Sequence, residues 1–179
     1  MKPIKIHDQN FEVYINRKTI AKGISDLAQQ VKKDLNGEIP IFISILNGAF
    51  VFAADFMRAY EGECEISFIK LASYSKTKST GKVKELLGIN EDLTNRTVVV
   101  LEDVIDTGAT LQSIYKILEQ EKLKDLKIAT LFFKPEVFRK ELHIDYVAFE
   151  IPDSFIVGYG LDYDGLGRNL PDIYKLSKQ

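Results

Sequence analysis

The chain of 179 residues is poor in the residue types that build disulfide-linked or metal-bound scaffolds. It contains one cysteine, Cys64, and therefore no internal disulfide. Its two histidines, His7 and His143, have no cysteine or histidine at the spacing that metal ligands need. The sequence therefore does not predict a structural zinc site. We interpret Cys64 as a small core or strand residue, because no histidine stands near it to activate a nucleophile.

The chain also lacks a charge excess and long apolar runs. Its 24 basic and 26 acidic residues give a net charge of −2, which argues against a nucleic-acid or anionic-membrane partner. No apolar run approaches the ~20 residues of a membrane span. The first residues lack the basic-then-apolar pattern of a signal peptide. We expect a single cytoplasmic domain covering residues 1–179, without nucleic-acid or membrane partners.

Short apolar runs alternate with helical repeats along the chain. The predicted strands are 11–15, 41–46, 65–71, 97–101, 127–133 and 146–151, with 83–89 as a return strand of a hairpin. One helical face runs from Ile20 to Leu35, with Asn16 as its N-cap and Gly37 just beyond its end. Two more helices follow Gly48 and Thr110. The alternation predicts an α/β fold with a mostly parallel sheet flanked by helices.

The stretch 97–110, with the sequence TVVVLEDVIDTGAT, organises the chain. Its predicted strand ends at Leu101, and Glu102 and Asp103 follow. After Val104 and Ile105, a predicted polar loop leads into a helix. It consists of Asp106, Thr107, Gly108, Ala109 and Thr110. Backbone N–H groups and threonine hydroxyls at a helix N-terminus favour an anion. Two carboxylates beside a phosphate suit Mg²⁺ or a sugar diol. The stretch therefore predicts a phosphate site.

Plainer interpretations of this stretch exist. Acids at a strand end are often only solvated residues or caps. Asp106-Thr107-Gly108 also matches the aspartic-protease tripeptide, but that chemistry needs a second aspartate from a second copy, and the sequence has none.

Two other predicted strands end in polar residues. Asn47-Gly48 follows one, and Lys134 follows another. Taken alone, Asn47-Gly48 is typical of an ordinary strand–helix turn and Lys134 of a surface lysine. The carboxyl ends of parallel strands, however, face one ligand crevice. We expect both sites to share that crevice with Glu102 and Asp103.

These motifs, together with the segment 152–168, closely resemble the hypoxanthine-guanine phosphoribosyltransferase family over nearly the whole chain. The resemblance implies a type I phosphoribosyltransferase fold. Its core would cover roughly 17–150, and a small hood would come from the N-terminal segment and roughly 151–179. It implies a purine salvage enzyme that uses Mg²⁺ to transfer the 5-phosphoribosyl group from phosphoribosyl diphosphate to hypoxanthine or guanine. The products would be IMP or GMP and pyrophosphate, and the expected assembly is a homodimer or homotetramer.

The resemblance also implies roles for the organising stretch. Glu102, Asp103 and Asp106 would be catalytic. The two adjacent acids would hold the ribose hydroxyls and metal-bound water, and Asp106 would act at purine N7 as general base or proton partner. Residues 106–110 would anchor the 5′-phosphate through backbone amides and threonine hydroxyls.

Further roles follow for the base and pyrophosphate. Lys134 would donate to the purine 6-oxo group and Phe155 would stack on the ring, while backbone groups of Ile156 and Asp162 read its edge. Asp162 would also help to hold Mg²⁺ through water. The expected pyrophosphate contacts are Leu46, Asn47, Gly48 and Arg168. Many family members carry lysine at the position of Asn47, and the family loop often contains a non-proline cis peptide. Ser73 and Tyr74 would lead a lid loop over 72–82.

Two alternatives stay open. The chain could be a regulatory protein of the same fold that senses phosphoribosyl diphosphate and binds nucleic acid, although such a protein needs a basic face. It could also be a phosphoribosyltransferase that prefers xanthine, because Lys134 and Phe155 do not separate xanthine from guanine.

Overall fold

The computed structural model describes residues 3–71, 85–139 and 141–177. The predicted lid residues Ser73 and Tyr74 lie outside these ranges. The strands are β1 Ile4–Ile6, β2 Gln9–Ile15, β3 Ile41–Leu46, β4 Glu65–Leu71, β5 Glu85–Leu87, β6 Thr97–Ile105, β7 Asp125–Phe133, β8 Tyr146–Glu150, β9 Ile156–Val157 and β10 Ile173–Leu176. The helices are α1 Arg17–Leu35, α2 Phe50–Ala59 and α3 Ala109–Leu118.

The larger sheet has the strand order β5-β4-β3-β6-β7-β8. Five of its strands are parallel, and β5 pairs antiparallel with β4. Helices cover both faces, so the central strands are apolar on both sides. On β6, Val99 and Leu101 join the cluster under α1 and α2, whereas Val98 and Val100 join the cluster under α3. The predicted α/β fold with a mostly parallel sheet is confirmed.

One predicted boundary is wrong at the central strand. β6 continues to Ile105, so Glu102 and Asp103 lie within the strand rather than after it. The extension pairs with β7, where Glu102 is opposite Thr130 and Ile105 is opposite Phe133. The two acids interrupt the apolar run, which made the strand look shorter. Backbone pairing to a neighbouring strand continues regardless of side-chain polarity.

A second boundary also moves. Ala109 and Thr110 form the first turn of α3 instead of the end of a loop. The prediction began the helix at its first apolar residue, Leu111. A helix starts where the backbone turns, however, and here that point is Gly108 with its positive φ of 80°.

A smaller antiparallel sheet joins the two ends of the chain in the order β1-β2-β10-β9. Its buried residues form a separate cluster consisting of Ile6, Phe11, Val157 and Tyr174. The sequence analysis contained only β2 of these four strands, because β1 and β9 are too short to show a periodic pattern. Sequence distance does not prevent this pairing, since Tyr174 of β10 lies opposite Val13 of β2.

The ends of α1 match the sequence prediction. The side chain of Asn16 accepts hydrogen bonds from the backbone N–H groups of Lys18 and Thr19, at 3.0 and 3.1 Å. At the other end, Asn36 and Gly37 both have positive φ. Cys64 is partly buried against the main core just before β4. Each helix within the described ranges is too short or too polar to span a lipid bilayer.

Candidate active site

Most of the predicted site residues lie around one cavity of about 550 Å³ at the carboxyl edge of the parallel strands. Its lining includes Leu46, Gly48, Glu102, Asp103, Asp106, Ala109, Thr110, Lys134, Phe155, Ile156, Asp162 and Arg168. An adjoining cavity of about 270 Å³ is lined by Glu102 to Leu111, including Thr107 and Gly108. The lining of neither cavity includes Asn47. The edge of the sheet thus brings together residues that are more than 100 positions apart in the sequence.

Glu102 and Asp103 form a buried acid pair, and each is only 7% exposed. Burial raises the pKa of Glu102 well above its usual value, and the charges of Asp103 and Asp106 add to this. Burial also raises the pKa of Asp103 to about 6, although the N–H group of Val104 donates to it at 2.9 Å. A buried pair of this kind favours a proton or a cation.

One oxygen of the acid pair Glu102 and Asp103 differs from the others in its hydrogen bonding. Among the described residues, Oε2 of Glu102 is buried without a hydrogen-bond partner. Buried polar atoms are normally paired, so an orphaned one at a cavity indicates a ligand group. The carboxylate of Asp103 packs on Gly48, where an added Cβ would lie 1.8 Å from Oδ2. Only glycine fits at that position.

The loop between β6 and α3 presents a helix N-terminus to the smaller cavity. Gly108 caps the helix in a left-handed conformation, and no side chain of the described residues caps it by hydrogen bond. The carbonyl of Gly108 accepts from the N–H group of Gln112 at 2.9 Å, which closes the first helical turn. The first N–H groups of α3 remain directed at the cavity, where the helix dipole favours an anion.

Lys134 is a buried amine, 6% exposed, at the end of β7. Its Nζ lies 2.7 Å from Oδ1 of Asp106 and 3.6 Å from Oδ1 of Asp153. Two carboxylates compensate for the burial of one ammonium group. The sequence analysis missed Asp153. It could have been found as an acid that follows β8 at the same edge of the sheet.

Phe155 presents an apolar surface to the cavity. Its ring is 48% exposed, although it is a large hydrophobic residue. The ring of Tyr163 meets it edge-on, with centroids 5.6 Å apart, and Phe11 lies 6.2 Å away. These neighbours hold the ring while one face stays open, which suits stacking on a planar ligand.

Arg168 is held in place by contacts on its own side of the cavity. Its Nη2 lies 2.6 Å from Oδ1 of Asp162, and its Nη1 donates to the carbonyl of Gly160 at 2.7 Å. The other oxygen of Asp162 accepts from the N–H group of Gly165 at 2.7 Å. The arginine therefore reaches the cavity in a fixed orientation, and a guanidinium group matches phosphate oxygens.

The predicted pyrophosphate loop carries a cis peptide bond between Leu46 and Asn47. The predicted metal residues do not form a protein-only metal centre. Within the described ranges, no three histidine, cysteine or acidic side chains lie close enough together to hold a metal ion. Asp162 is thus not grouped with Glu102 and Asp103 as a ligand set by itself.

A model of the phosphoribosyl transferase domain matches residues 12–164 of the chain. This match runs from the middle of β2 to two residues beyond Asp162. The fold and the site therefore define a phosphoribosyltransferase.

Comparison with named relatives shows which family of phosphoribosyltransferases the chain belongs to. The hypoxanthine-guanine phosphoribosyltransferase of Aquifex aeolicus is 34% identical over 172 residues, which cover 95% of this chain and 97% of the relative. A solved hypoxanthine-guanine phosphoribosyltransferase from Bacillus anthracis is 40% identical, with a TM-score of 0.85 over 97% of this chain and 100% of that one. A solved hypoxanthine phosphoribosyltransferase from Staphylococcus aureus is 36% identical, with a TM-score of 0.86 over 93% and 91%. The chain belongs to the hypoxanthine-guanine phosphoribosyltransferase family.

Proposed function

We propose that the chain transfers the 5-phosphoribosyl group from phosphoribosyl diphosphate to hypoxanthine or guanine, giving IMP or GMP and pyrophosphate in purine salvage. The observation that carries the proposal is the meeting of three kinds of group in one cavity. They are the buried acids Glu102 and Asp103, the ammonium of Lys134 and the open ring of Phe155. A sugar diol, an oxo group and a planar base are the matching ligand groups.

The substrate oxygens find partners along the carboxyl edge. The 5′-phosphate would bind the N–H groups at Asp106 to Thr110, with help from the threonine hydroxyls. The pyrophosphate would bind the backbone at Leu46 to Gly48 and the guanidinium of Arg168. The orphaned Oε2 of Glu102 would accept a ribose hydroxyl.

Mg²⁺ fits this donor set. It commonly binds through one or two carboxylates, several waters and substrate oxygens rather than in an all-protein cage. Glu102 and Asp103 would supply the carboxylates, and burial raises the pKa values of both. Asp162 would hold a second position through water. When bound, Mg²⁺ would neutralise charge on the departing pyrophosphate.

The reaction breaks the bond between ribose C1′ and the pyrophosphate oxygen and forms a bond from C1′ to purine N9. Pyrophosphate leaves with the bonding electrons, and Asp106 takes the proton that the base loses at N7. The sugar carries positive charge in the transition state, so the protein contributes mainly by positioning and electrostatics. The carboxylate of Asp106 is half exposed, and its Oδ1 pairs with Lys134, so Oδ2 would take the proton from the base.

Lys134 would set the base preference. An ammonium group donates to a 6-oxo group and has no acceptor for the 6-amino group of adenine. The small sheet, which contributes Ile156 in β9, would form the hood over the base. The nucleic-acid sensor alternative is not favoured, since the relatives named above are phosphoribosyltransferases over nearly the whole chain.

The test is nucleotide formation from phosphoribosyl diphosphate with Mg²⁺, with hypoxanthine, guanine, xanthine and adenine assayed side by side. We expect turnover of the 6-oxopurines, and their relative rates will separate hypoxanthine and guanine from xanthine preference. Inert 6-oxopurines would refute the proposal.

The Lys134→Gln variant sharpens this assay. Loss of a charge-assisted hydrogen bond should lower kcat/KM for hypoxanthine by roughly 10- to 100-fold. An unchanged kcat/KM would remove Lys134 from base recognition. A natural control is Lys127 on the same strand, which pairs with Asp125 at the far end of β7. The Lys127→Gln variant should retain wild-type kcat/KM.

The expected homodimer or homotetramer is a separate part of the proposal. Light scattering after gel filtration measures the mass of the assembly directly. A monomer at assay concentration, with full turnover, would refute that part alone.

A further inference from the structure

Tyr159 has an unusual backbone for its residue type. It stands between Gly158 and Gly160, and all three have positive φ, with 50° at the tyrosine. The side chain is nevertheless 7% exposed and packs in the main core. A left-handed conformation is unfavourable for a bulky residue, so surrounding contacts must maintain it.

The contacts that maintain it come from α2 and from the segment before β10. The hydroxyl of Tyr159 donates to Oδ2 of Asp55, whose other oxygen pairs with Arg58. The N–H group of Tyr159 donates to the carbonyl of Leu170 at 2.8 Å. Burial and the neighbouring carboxylate raise the pKa of Tyr159, so the hydroxyl stays a donor.

This hydrogen bond joins the two parts of the proposed pyrophosphate site. α2 starts two residues after Gly48, and the carbonyl of Gly48 lies against Gly160, where an added Cβ would approach it to 2.2 Å. The carbonyl of Gly160 accepts from Nη1 of Arg168 at 2.7 Å, and its N–H group donates to the carbonyl of Arg168 at 2.9 Å. Gly48 and Arg168 thus both contact Gly160, the residue that follows Tyr159.

We infer that Tyr159 and Asp55 are positioning residues for the pyrophosphate site. The hydrogen bond between them holds Gly160 against Gly48 and so sets the distance between the backbone loop and the guanidinium of Arg168. This inference rests on the proposed function, because it takes those two groups as the pyrophosphate ligands. Neither Tyr159 nor Asp55 lines the cavity, so the effect acts through Gly160.

The inference predicts a ligand-selective defect in the Tyr159→Phe variant. The affinity for pyrophosphate with Mg²⁺, measured by calorimetry, should fall roughly three- to tenfold, the scale of one lost hydrogen bond. The KM for phosphoribosyl diphosphate should rise by a similar factor, with kcat changed less. GMP lacks pyrophosphate, so its affinity should change less than twofold.

The matched control is Tyr60→Phe. Tyr60 is also 7% exposed and lies in the same core cluster, at the far end of α2. The substitution also removes a hydroxyl from a tyrosine of the same burial. Because Tyr60 lies at the end of α2 that is far from Gly48, pyrophosphate affinity should not change. A general effect of removing a buried hydroxyl would appear in both variants.

Variants of Asp55 test the partner and remain informative if Tyr159→Phe folds poorly. The side chain of Asp55 is 40% exposed, so its replacement leaves the core intact. Asp55→Ala should reproduce the pyrophosphate defect. Asp55→Asn keeps an acceptor oxygen for the tyrosine and should restore affinity to near the wild-type value. Arg58→Gln removes only the exposed ion pair and should have no effect.

The outcomes separate this inference from the proposed function. If wild type turns over and pyrophosphate binding survives in Tyr159→Phe and Asp55→Ala, the inference is wrong and the function stands. Equal losses for pyrophosphate and GMP would also overturn it, since they indicate general loosening. If wild type shows no turnover, the proposed function fails. The inference is then decided by the same calorimetric comparison on pyrophosphate alone.

Discussion

The N-termini of α1 and α3 are constructed differently. Asn16 caps α1, and its side chain accepts from two backbone N–H groups. α3 begins at Gly108, and no side chain within the described ranges caps it. Glycine at the cap position forgoes roughly a few tenths of a kcal/mol of stabilisation relative to asparagine and leaves the first donors of the helix free. Asn16 thus satisfies donors of α1, whereas the first donors of α3 face the cavity, where we propose that a phosphate binds.

The two ends of β6 show the same difference. At the amino end, the hydroxyl of Thr97 donates to Glu38 at 2.5 Å, and Lys124 pairs with Glu38 at 2.7 Å. These partners lower the pKa of Glu38, with Lys124 as the largest cause. At the carboxyl end, burial raises the pKa values of Glu102 and Asp103. The acid at the amino end of β6 thus has hydrogen-bond and charge partners, whereas the buried acids at its carboxyl end lie at the proposed ligand site.

The largest expected effect is at Asp106. The Asp106→Asn variant keeps the shape of the side chain and removes the proton acceptor, so kcat should fall on the order of 10²-fold. Steady-state kinetics with hypoxanthine measures it. Asp153→Asn is the matched control, because it removes the other carboxylate near Lys134, at 3.6 Å, and should change kcat far less. An unchanged kcat in Asp106→Asn would refute the base role.

The second prediction concerns the acid pair and pH. Because the native pKa of Asp103 is raised to about 6 from 3.8, its contribution to stability is present below about pH 4 and is lost as pH rises through 6. Replacing it by asparagine removes that dependence. The unfolding free energy of Asp103→Asn relative to wild type should therefore rise by about 1.4 kcal/mol between pH 5 and 7.5 without Mg²⁺.

Urea unfolding at both pH values measures this difference. A Glu38→Gln variant, at the satisfied end of β6, serves as the control and should show no such rise over this range, because the pKa of Glu38 is lowered. If the difference in unfolding free energy between Asp103→Asn and wild type does not change with pH, burial does not raise the pKa of Asp103.

The third prediction compares two glycines with the same backbone geometry. Gly108 and Gly37 have φ of 80° and 86°, so alanine at either site costs about 1 kcal/mol of stability. Gly37 follows α1, far from the cavity. Gly108→Ala should also raise the KM for phosphoribosyl diphosphate about tenfold, since it displaces the proposed phosphate donors, whereas Gly37→Ala should leave it unchanged. Equal KM values would argue against a phosphate at α3.

The smallest expected effect is at the capped helix. Asn16→Ala should lower the free energy of unfolding by about 1 kcal/mol and the Tm by a few degrees, because two N–H groups lose their acceptor. Thermal unfolding measures it. Kinetic constants should stay at wild-type values. A change in KM here would contradict the separation between the structural end of α1 and the ligand-facing end of α3.

Local patterns in the sequence predict several elements at their observed residues. Ile41–Leu46 and Glu65–Leu71 are strands at the predicted residues, and Asn16 caps α1 as predicted. In these segments, the apolar pattern and the capping residue act within a few positions. β6 extends beyond its predicted end at Leu101, because pairing with β7 continues through two acids that interrupt the apolar pattern.

The sequence by itself determined the alternation of strands and helices and the residue types at the strand ends, since these depend on local propensity and periodicity. Only the tertiary structure decided that Asp153 joins Asp106 at Lys134, and that Tyr159 bonds to Asp55 across 104 positions. It also decided that Oε2 of Glu102 and Oγ of Ser44 are buried without a hydrogen-bond partner among the described residues. Such facts depend on distances between segments that are remote in the chain, and those distances arise only when the sheet and its helices pack.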